Sequence, residues 1–137
     1  MIKEIFTTIT ILQESNNKFE IIKAIIKKIL GREAYFSKDI YIYSNNLIFN
    51  CGRTLEGCLV ACSTFEKKSL NNIHLKNGTF IDIGAHIGKY SVVISKNHPN
   101  VNIISIEPDP DTFKLLNENI KLNNLTNIQT MNLALSS

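Results

Sequence analysis

The sequence feature that most constrains the fold is Thr79–Ser91, which reads Thr-Phe-Ile-Asp-Ile-Gly-Ala-His-Ile-Gly-Lys-Tyr-Ser. A β-branched run that holds one acid, Asp82, is followed by Gly84 and Gly88 and then by a helical apolar pattern. The run predicts a parallel strand buried on both faces. In α/β proteins a strand, a glycine turn and a helix bring backbone close to a nucleotide-like ligand, and the free N–H groups at the helix start favour an anionic group.

A second strand with an acid at its end extends this pattern. Residues 101–106 are largely apolar and lead into the segment Glu-Pro-Asp-Pro at 107–110. Glu107 lies 19 residues after Gly88, close to the ~20 residues expected between a glycine turn and an acid that binds ribose hydroxyls. Pro108 ends the strand, so we expect the acid at the carboxyl end of the sheet, where ligands bind in open α/β folds.

The glycine spacing separates the candidate cofactors. A dinucleotide fingerprint that starts at Gly84 would need glycine where this chain has His86 and Lys89, and the P-loop pattern is absent from the sequence. The turn and the acid instead resemble the S-adenosylmethionine turn of Rossmann-like methyltransferases. Over roughly residues 77–137 the chain is similar, more narrowly, to the FkbM-type family, which usually has asparagine where His86 stands.

The resemblance implies an α/β fold with a Rossmann-like methyltransferase sheet, S-adenosylmethionine as cofactor, and O-methyl transfer to a hydroxyl of a sugar, glycan or small metabolite. The implied cofactor-binding residues are Asp82, Gly84, Ala85, His86, Gly88, Glu107, Pro108 and Asn132. Asp82 would face the cofactor's ammonium, Glu107 its ribose, and Pro108 and Asn132 its adenine. No catalytic residue is assigned, because His86 lies in the cofactor turn and not on the side from which a methyl acceptor approaches.

Two other functions stay open. The same strand, turn and helix could belong to a domain that binds NAD or another nucleotide, or to a noncatalytic remnant of a methyltransferase. Each acid also has a structural alternative. Asp82 could be a capping or salt-bridged acid, although a carboxylate inside a buried strand needs a partner. Glu107 could be a solvated acid at a strand end.

Composition excludes several classes of protein. The chain has 137 residues, a formal net charge of +3 that is too small to indicate a nucleic-acid partner, and no dense block of lysines and arginines, so we expect no nucleic-acid partner. No apolar run approaches the ~20 residues of a membrane span, and the N-terminus lacks the features of a signal peptide, so we expect a cytoplasmic protein. Cys51, Cys58 and Cys62 are odd in number. Even with His74 they make a poor zinc pattern, so we predict buried thiols and no metal site.

Residues 1–76 predict an N-terminal extension of helices and a hairpin. Helical patterns cover residues 1–31 with a break at Asn16-Asn17, and a hairpin turns at Ser44-Asn45-Asn46. A further helix is expected over residues 64–73. The second helix combines an apolar stripe with lysines, and we expect the stripe to pack against its own domain. Binding to a membrane surface or to a partner helix is the alternative.

Residues 77–137 predict the first half of a cofactor domain. After Glu107 the pattern predicts a helix capped by Asp109 with Pro110 at its first position, and then a third strand over residues 128–133. Only three strands of the seven-stranded core that the resemblance implies can be placed. Because a sheet cut beside its central strand leaves unpaired backbone groups and an apolar face, we expect a fragment that is inactive alone. A partner chain or a missing C-terminal half would complete the sheet.

Overall fold

Helices and strands follow one another along residues 2–134, the part of the chain that the structure, a computed structural model, describes. In chain order the elements are α1 (Ile2–Glu14), α2 (Lys18–Ile29), β1 (Tyr41–Ser44), β2 (Leu47–Asn50), α3 (Leu55–Ala61), α4 (Lys67–Asn71), β3 (Thr79–Ile83), α5 (Lys89–Asn97), β4 (Asn102–Ile106), α6 (Pro110–Leu122) and β5 (Ile128–Met131). They form two compact units, Met1–Phe65 and Glu66–Ser137. The division places α4 in the second unit, and the expected domain boundary at residues 76 and 77 stays a prediction.

The first unit contains the predicted helices and hairpin. Asn17 begins α2, where its side chain accepts a hydrogen bond from the backbone N–H of Glu20 at 3.2 Å. Strands β1 and β2 pair antiparallel, and their two-residue turn places Asn45 and Asn46 at positive φ, as a tight hairpin requires. Helix α3 is an element that the sequence pattern did not predict. It begins after Thr54, whose hydroxyl accepts a hydrogen bond from the N–H of Gly57.

The predicted packing of α2 is wrong. Its buried residues are Ile21 and Ala24, whereas the apolar stripe points to solvent, with exposed fractions between 45% and 79%. That stripe consists of Phe19, Ile22, Ile26, Ile29 and Leu30. A helix has two sides that can hold apolar residues at a spacing of three to four. In α2 both sides are apolar, and the smaller side faces the unit's core.

Three parallel strands make the sheet of the second unit, in the order β3-β4-β5. The predicted Rossmann-like arrangement with three core strands is therefore confirmed. Helix α6 begins as expected: Asp109 accepts a hydrogen bond from the N–H of Thr112 at 2.7 Å, and this bond lowers the pKa of its carboxyl group. The helix expected over residues 64–73 is shorter, from Lys67 to Asn71.

One face of this sheet is covered and the other is exposed. Ile94 of α5 packs with Ile103 of β4 and with Phe80 of β3, and Asn117 of α6 accepts a hydrogen bond from Thr130 on the same face. On the opposite face of β3, Ile81 and Ile83 are 56% and 65% exposed. The expectation of burial on both faces is thus wrong for β3, because both crossover helices lie on one side.

The cysteines are buried and carry free thiols, as predicted. Burial raises the pKa of the Cys51 thiol, and a hydrogen bond with Cys58 raises it further. Within residues 2–134 no cluster of three or more His, Cys, Asp or Glu side chains is arranged to hold a metal ion. In the same part of the chain no helix combines the length and apolar character that crossing a bilayer requires.

Candidate cofactor site

The glycine turn is fastened to the end of the neighbouring strand. The backbone N–H groups of Gly84 and Ala85 both donate to the carbonyl oxygen of Ile106, at 2.8 and 2.9 Å. This shared acceptor is the last residue of β4. The chain therefore leaves β3 and bends directly over the tip of β4, where Glu107 begins the next segment. The two halves of the sequence pattern meet at one edge of the sheet.

The two glycines of the turn serve different purposes. Both have positive φ, 74° at Gly84 and 86° at Gly88, a conformation that costs other residues energy. A Cβ added at Gly88 would lie 2.5 Å from Cδ1 of Leu116 in α6, so this glycine permits close packing of two helices. A Cβ at Gly84 would meet no atom within 4 Å. Gly84 thus borders open space at the exposed side of the turn.

Glu107 is an internal brace as well as a candidate ribose ligand. It is only 7% exposed, so the alternative of a solvated strand-end acid is wrong. Its Oε2 accepts a hydrogen bond from the backbone N–H of His86 at 2.8 Å, and its Oε1 accepts one from that of Asp109 at 3.0 Å. Because a carboxylate has about four acceptor positions, these two bonds leave capacity for hydroxyl donors.

Asp82 is tied to the start of α5. Its Oδ2 accepts hydrogen bonds from the backbone N–H of Ser91 at 3.2 Å and from the Ser91 hydroxyl at 2.5 Å. It therefore satisfies an N–H of the first helical turn, in accordance with its capping alternative. Burial raises the pKa of Asp82, and repulsion from Glu107 also raises it, while the Ser91 bonds act in the opposite direction. A cation beside this half-buried carboxylate would relieve the cost of its charge.

His86 carries two unusual features. Its φ is 53°, a left-handed conformation that is uncommon for residues other than glycine, although histidine adopts it more often than most. Its Nδ1 is buried without a hydrogen-bond partner. A buried ring nitrogen without a hydrogen-bond partner is energetically costly. This nitrogen lies in the same turn as Gly84, which faces open space. Both observations fit a polar ligand that contacts this turn.

The other predicted contacts border the same strand tips. Asn132, which follows β5, donates from Nδ2 to the carbonyl oxygens of Glu107 at 2.8 Å and Pro108 at 3.0 Å. Its side chain thus holds the acidic segment in place. The structure brings Asp82, the turn and the segments at 107–108 and 132 to one edge of the sheet.

Several residues that support the site were missed from sequence. Ser105 is fully buried on β4 in register with Asp82, and its hydroxyl lies 2.6 Å from that of Ser91. Asn119 of α6 is also fully buried and donates to the carbonyl of Ile87 in the turn at 2.8 Å. The sequence signal that could have identified these two residues is a polar residue within an otherwise apolar strand or helix face.

Tyr90, in the first turn of α5, links the site to the segment before β3. Burial raises the pKa of its hydroxyl, and a hydrogen bond with the Glu66 carboxylate raises it further. Glu66 itself has a φ of 45°, a strained conformation for this residue type.

Comparison with known proteins gives a family match. Residues 61–134, more than half of the chain, match the model of the TRM5/TYW2 methyltransferase domain. The methyltransferase sdnD of Sordaria araneosa is 32% identical over 62 residues, which are 44% of this chain and 24% of that protein. Methyltransferase 1 of Beauveria bassiana is 31% identical over 49 residues, which are 36% of this chain and 20% of that protein. The matched part spans about a quarter or less of these curated relatives.

Solved structures share the fold. TYW2 of M. jannaschii in complex with AdoMet aligns with a TM-score of 0.57 at 22% identity, over 69% of this chain and 43% of that one. P. horikoshii TYW2 in complex with MeSAdo has the same TM-score and identity over 82% of this chain and 46% of that one. The tRNA (uracil-54, C5)-methyltransferase of Pyrococcus abyssi aligns with a TM-score of 0.50 at 10% identity, over 72% of this chain and 24% of that one. At these identities the similarity establishes the fold.

Proposed function

Because this chain belongs to the TRM5/TYW2 methyltransferase domain family, we propose that its cofactor lies between the glycine turn and Glu107. The family consists of S-adenosylmethionine-dependent methyltransferases, the class that the sequence predicted. One observation carries the proposal. The His86 N–H is 2.8 Å from Glu107 Oε2, so the turn and the acid can contact one molecule together. Asp82, on the strand before the turn, supplies a second carboxylate at the same edge.

The residues present suit the two polar ends of such a cofactor. When bound, S-adenosylmethionine supplies a methyl group on a sulfonium. Asp82 would accept hydrogen bonds from the ammonium group and Glu107 from the ribose hydroxyls, as charge-assisted bonds. Gly84, Ala85, His86 and Gly88 would present the turn to the amino-acid part, and Pro108 and Asn132 would border the adenine. Methyl transfer is an in-line displacement, so the contribution of these groups is to position the donor.

The methyl acceptor in this proposal is a hydroxyl of a sugar, glycan or small metabolite. The FkbM-type resemblance supports it, although the family model that matches the chain is that of the TRM5/TYW2 methyltransferase domain and not the FkbM type. A tRNA acceptor is the second candidate, because one structural neighbour is a tRNA methyltransferase. Nucleic-acid binding relies on clustered basic residues, and the sequence contains no dense block of lysines and arginines, which favours the hydroxyl acceptor.

The proposal includes a covering element for the exposed sheet face. Ile81 and Ile83 are more than half exposed, which is unusual for a parallel sheet. In the active protein we expect a partner chain or further sequence to cover this face and to supply the acceptor pocket. A cytoplasmic location remains part of the proposal.

Isothermal titration calorimetry with three ligands tests the proposed function. The 137-residue chain is titrated with S-adenosylmethionine, S-adenosylhomocysteine and NAD. We expect saturable binding of the first two at one site and at least tenfold weaker binding of NAD, because His86 and Lys89 occupy glycine positions of the dinucleotide fingerprint. Preference for NAD, or no binding of either sulfur nucleoside, would contradict the proposal.

A binding assay with tRNA separates the two acceptors. For a hydroxyl acceptor we expect no saturable binding of unmodified tRNA at low salt. Tight binding whose affinity falls steeply with salt concentration would favour tRNA and remove the hydroxyl acceptor from the proposal.

A further inference from the structure

The exposed side of α2 forms an apolar strip in the first unit. The strip consists of Phe19, Ile22, Ile26, Ile29 and Leu30, each between 45% and 79% exposed. Monomeric proteins expose single apolar side chains routinely, but a contiguous row on one helix marks an interaction site. Since the opposite side of α2 buries Ile21 and Ala24, the strip is not the face by which this helix joins its own unit.

Lysines border the strip on both sides. At about 100° per residue, the strip occupies a sector of about 100°. Lys18 lies just outside one edge, and Lys23 and Lys27 lie outside the other. The ammonium of Lys23 is 4.3 Å from the centre of the Phe19 ring, so a lysine head group stands beside an exposed apolar surface.

The acid of α2 lies outside the strip, beside one of the border lysines. Glu20 is the only acidic residue between Lys18 and Ile29. Its Oε2 accepts a hydrogen bond from the N–H of Ser37, and its Oε1 lies 3.5 Å from the ammonium of Lys23, the border lysine that also contacts the Phe19 ring. The sector that faces solvent is therefore apolar in its centre and bordered by three lysines, one of which, Lys23, is paired with Glu20.

We propose that α2 binds the surface of a membrane that contains anionic lipid. A helix of 12 residues is about 18 Å long, too short to span a bilayer but suited to lie in its interface. The strip would enter the acyl boundary while Lys18, Lys23 and Lys27 reach the phosphate groups. This inference goes beyond the proposed methyltransferase function and does not depend on it.

The chemistry of the strip favours lipid over other partners. Three lysines border the strip and one acid lies beside them, and this excess of positive charge complements a surface of anionic headgroups. Nucleic acid is bound through basic and polar groups with stacked aromatic rings, and four of the five strip residues are aliphatic. The apolar centre with a cationic rim matches anionic lipid in both charge and polarity.

Vesicle co-sedimentation tests the proposal on the 137-residue chain. Vesicles of phosphatidylcholine alone are compared with vesicles of phosphatidylcholine and phosphatidylserine in a 70:30 ratio. We expect binding to the anionic vesicles that weakens with added salt, and little binding to the neutral ones. Ile26→Asp should abolish binding, and Lys23→Gln with Lys27→Gln should weaken it by about 25-fold, about fivefold for each lysine.

A matched variant controls for general hydrophobicity. Ile81→Asp changes an isoleucine with an exposed fraction similar to that of Ile26, 56% against 51%, and should leave vesicle binding unchanged. Three results would overturn the proposal: no binding to anionic vesicles, equal binding to both compositions, or binding that Ile26→Asp does not affect. Sedimentation velocity provides a further check, since a dimer that Ile26→Asp dissociates would assign the strip to a second copy of the chain.

Discussion

Helices α2 and α5 begin from similar sequence patterns and end in opposite situations. Each carries apolar residues and lysines over about three turns. Helix α5 packs Ile94 against the sheet and also buries Val92 and even Lys89. Helix α2 leaves its larger apolar side in solvent.

The difference shows what fixes the orientation of a helix. The start of α5 is bonded to β3 through Asp82 and Ser91 and packed on α6 through Gly88 and Leu116. These hydrogen bonds and packing contacts allow only one face of α5 to point toward the sheet. Apolar periodicity identifies a helix, whereas specific contacts at its ends determine which side is buried.

The largest expected effect comes from matched isoleucine truncations in the two helices. Ile94→Ala in α5 should lower the free energy of unfolding by about 2–4 kcal/mol, because Ile94 is buried and its removal leaves a cavity. Ile26→Ala in α2 should change it by less than about 0.5 kcal/mol, as for other exposed positions. Urea unfolding followed by circular dichroism measures both. Equal losses would mean that the strip on α2 is packed in solution.

A matched pair of glycine variants probes the turn before α5. Gly88→Ala combines a positive φ with a Cβ 2.5 Å from Leu116, and should cost about 2–3 kcal/mol of stability. Gly84→Ala has only the backbone penalty, about 1 kcal/mol. However, its methyl group enters the space that we assign to the cofactor, so it should weaken S-adenosylmethionine binding. A Gly84→Ala variant with unchanged affinity would place the cofactor elsewhere.

Replacing the Glu107 carboxylate should affect affinity more than fold. Glu107→Gln keeps an acceptor for one of the two backbone N–H groups but removes the charge. We expect S-adenosylmethionine to bind about ten- to a hundredfold more weakly, the equivalent of ~1.5–3 kcal/mol for a hydrogen bond to a charged group. Calorimetry on this variant is compared with Glu56→Gln, which changes an exposed acid of α3. Equal affinities for wild type and Glu107→Gln would remove Glu107 from the site.

The smallest expected effect is a pH dependence of the free energy of unfolding that comes from Asp82. Its pKa is raised above the ordinary value of 3.8, first by burial. Folding therefore favours the protonated form of Asp82. The stability that this protonation contributes to the fold is complete below pH 3.8 and is lost as the pH rises through the raised pKa. Asp82→Asn mimics the protonated form, so at pH 7 it should be more stable than wild type by about 0.5 kcal/mol or less, since solvent screens a half-buried group.

Urea titrations of both proteins at several pH values measure this difference. It should shrink as the pH approaches 3.8. A variant that is less stable than wild type at pH 7 would show that the ionised carboxylate stabilises α5 by more than its burial costs.

The second unit could be predicted from sequence because its signals are local and specific. A glycine turn, an acid at a fixed spacing and a proline after it each indicate one structure, and the structure joins Gly84 and Ala85 to Ile106 at the expected edge. The hydrogen bonds of Asp82 could not be predicted, since Ser91 reaches it only through the start of α5, and Ser105 contacts Ser91 only through the strand register. The hydrogen bonds that Glu107 accepts from the backbone of His86 and Asp109 were hidden for the same reason.

The first unit was harder to predict because its sequence patterns are compatible with more than one structure. The asparagine pair at 45 and 46 indicated the hairpin correctly. Helix α3 could not be predicted, because it is short and contains Gly57, a glycine that is needed there for close contact with the backbone of Cys51. The exposure of the α2 strip depends on tertiary packing that periodicity does not encode.

A crystal structure of the chain with S-adenosylhomocysteine tests the central claim most directly. We predict that the ribose hydroxyls lie within hydrogen-bond distance of the Glu107 carboxylate, and that the amino-acid end lies along the turn at Gly84–Gly88 with its ammonium toward Asp82. A complex in which the nucleoside contacts neither Glu107 nor this turn would contradict the account.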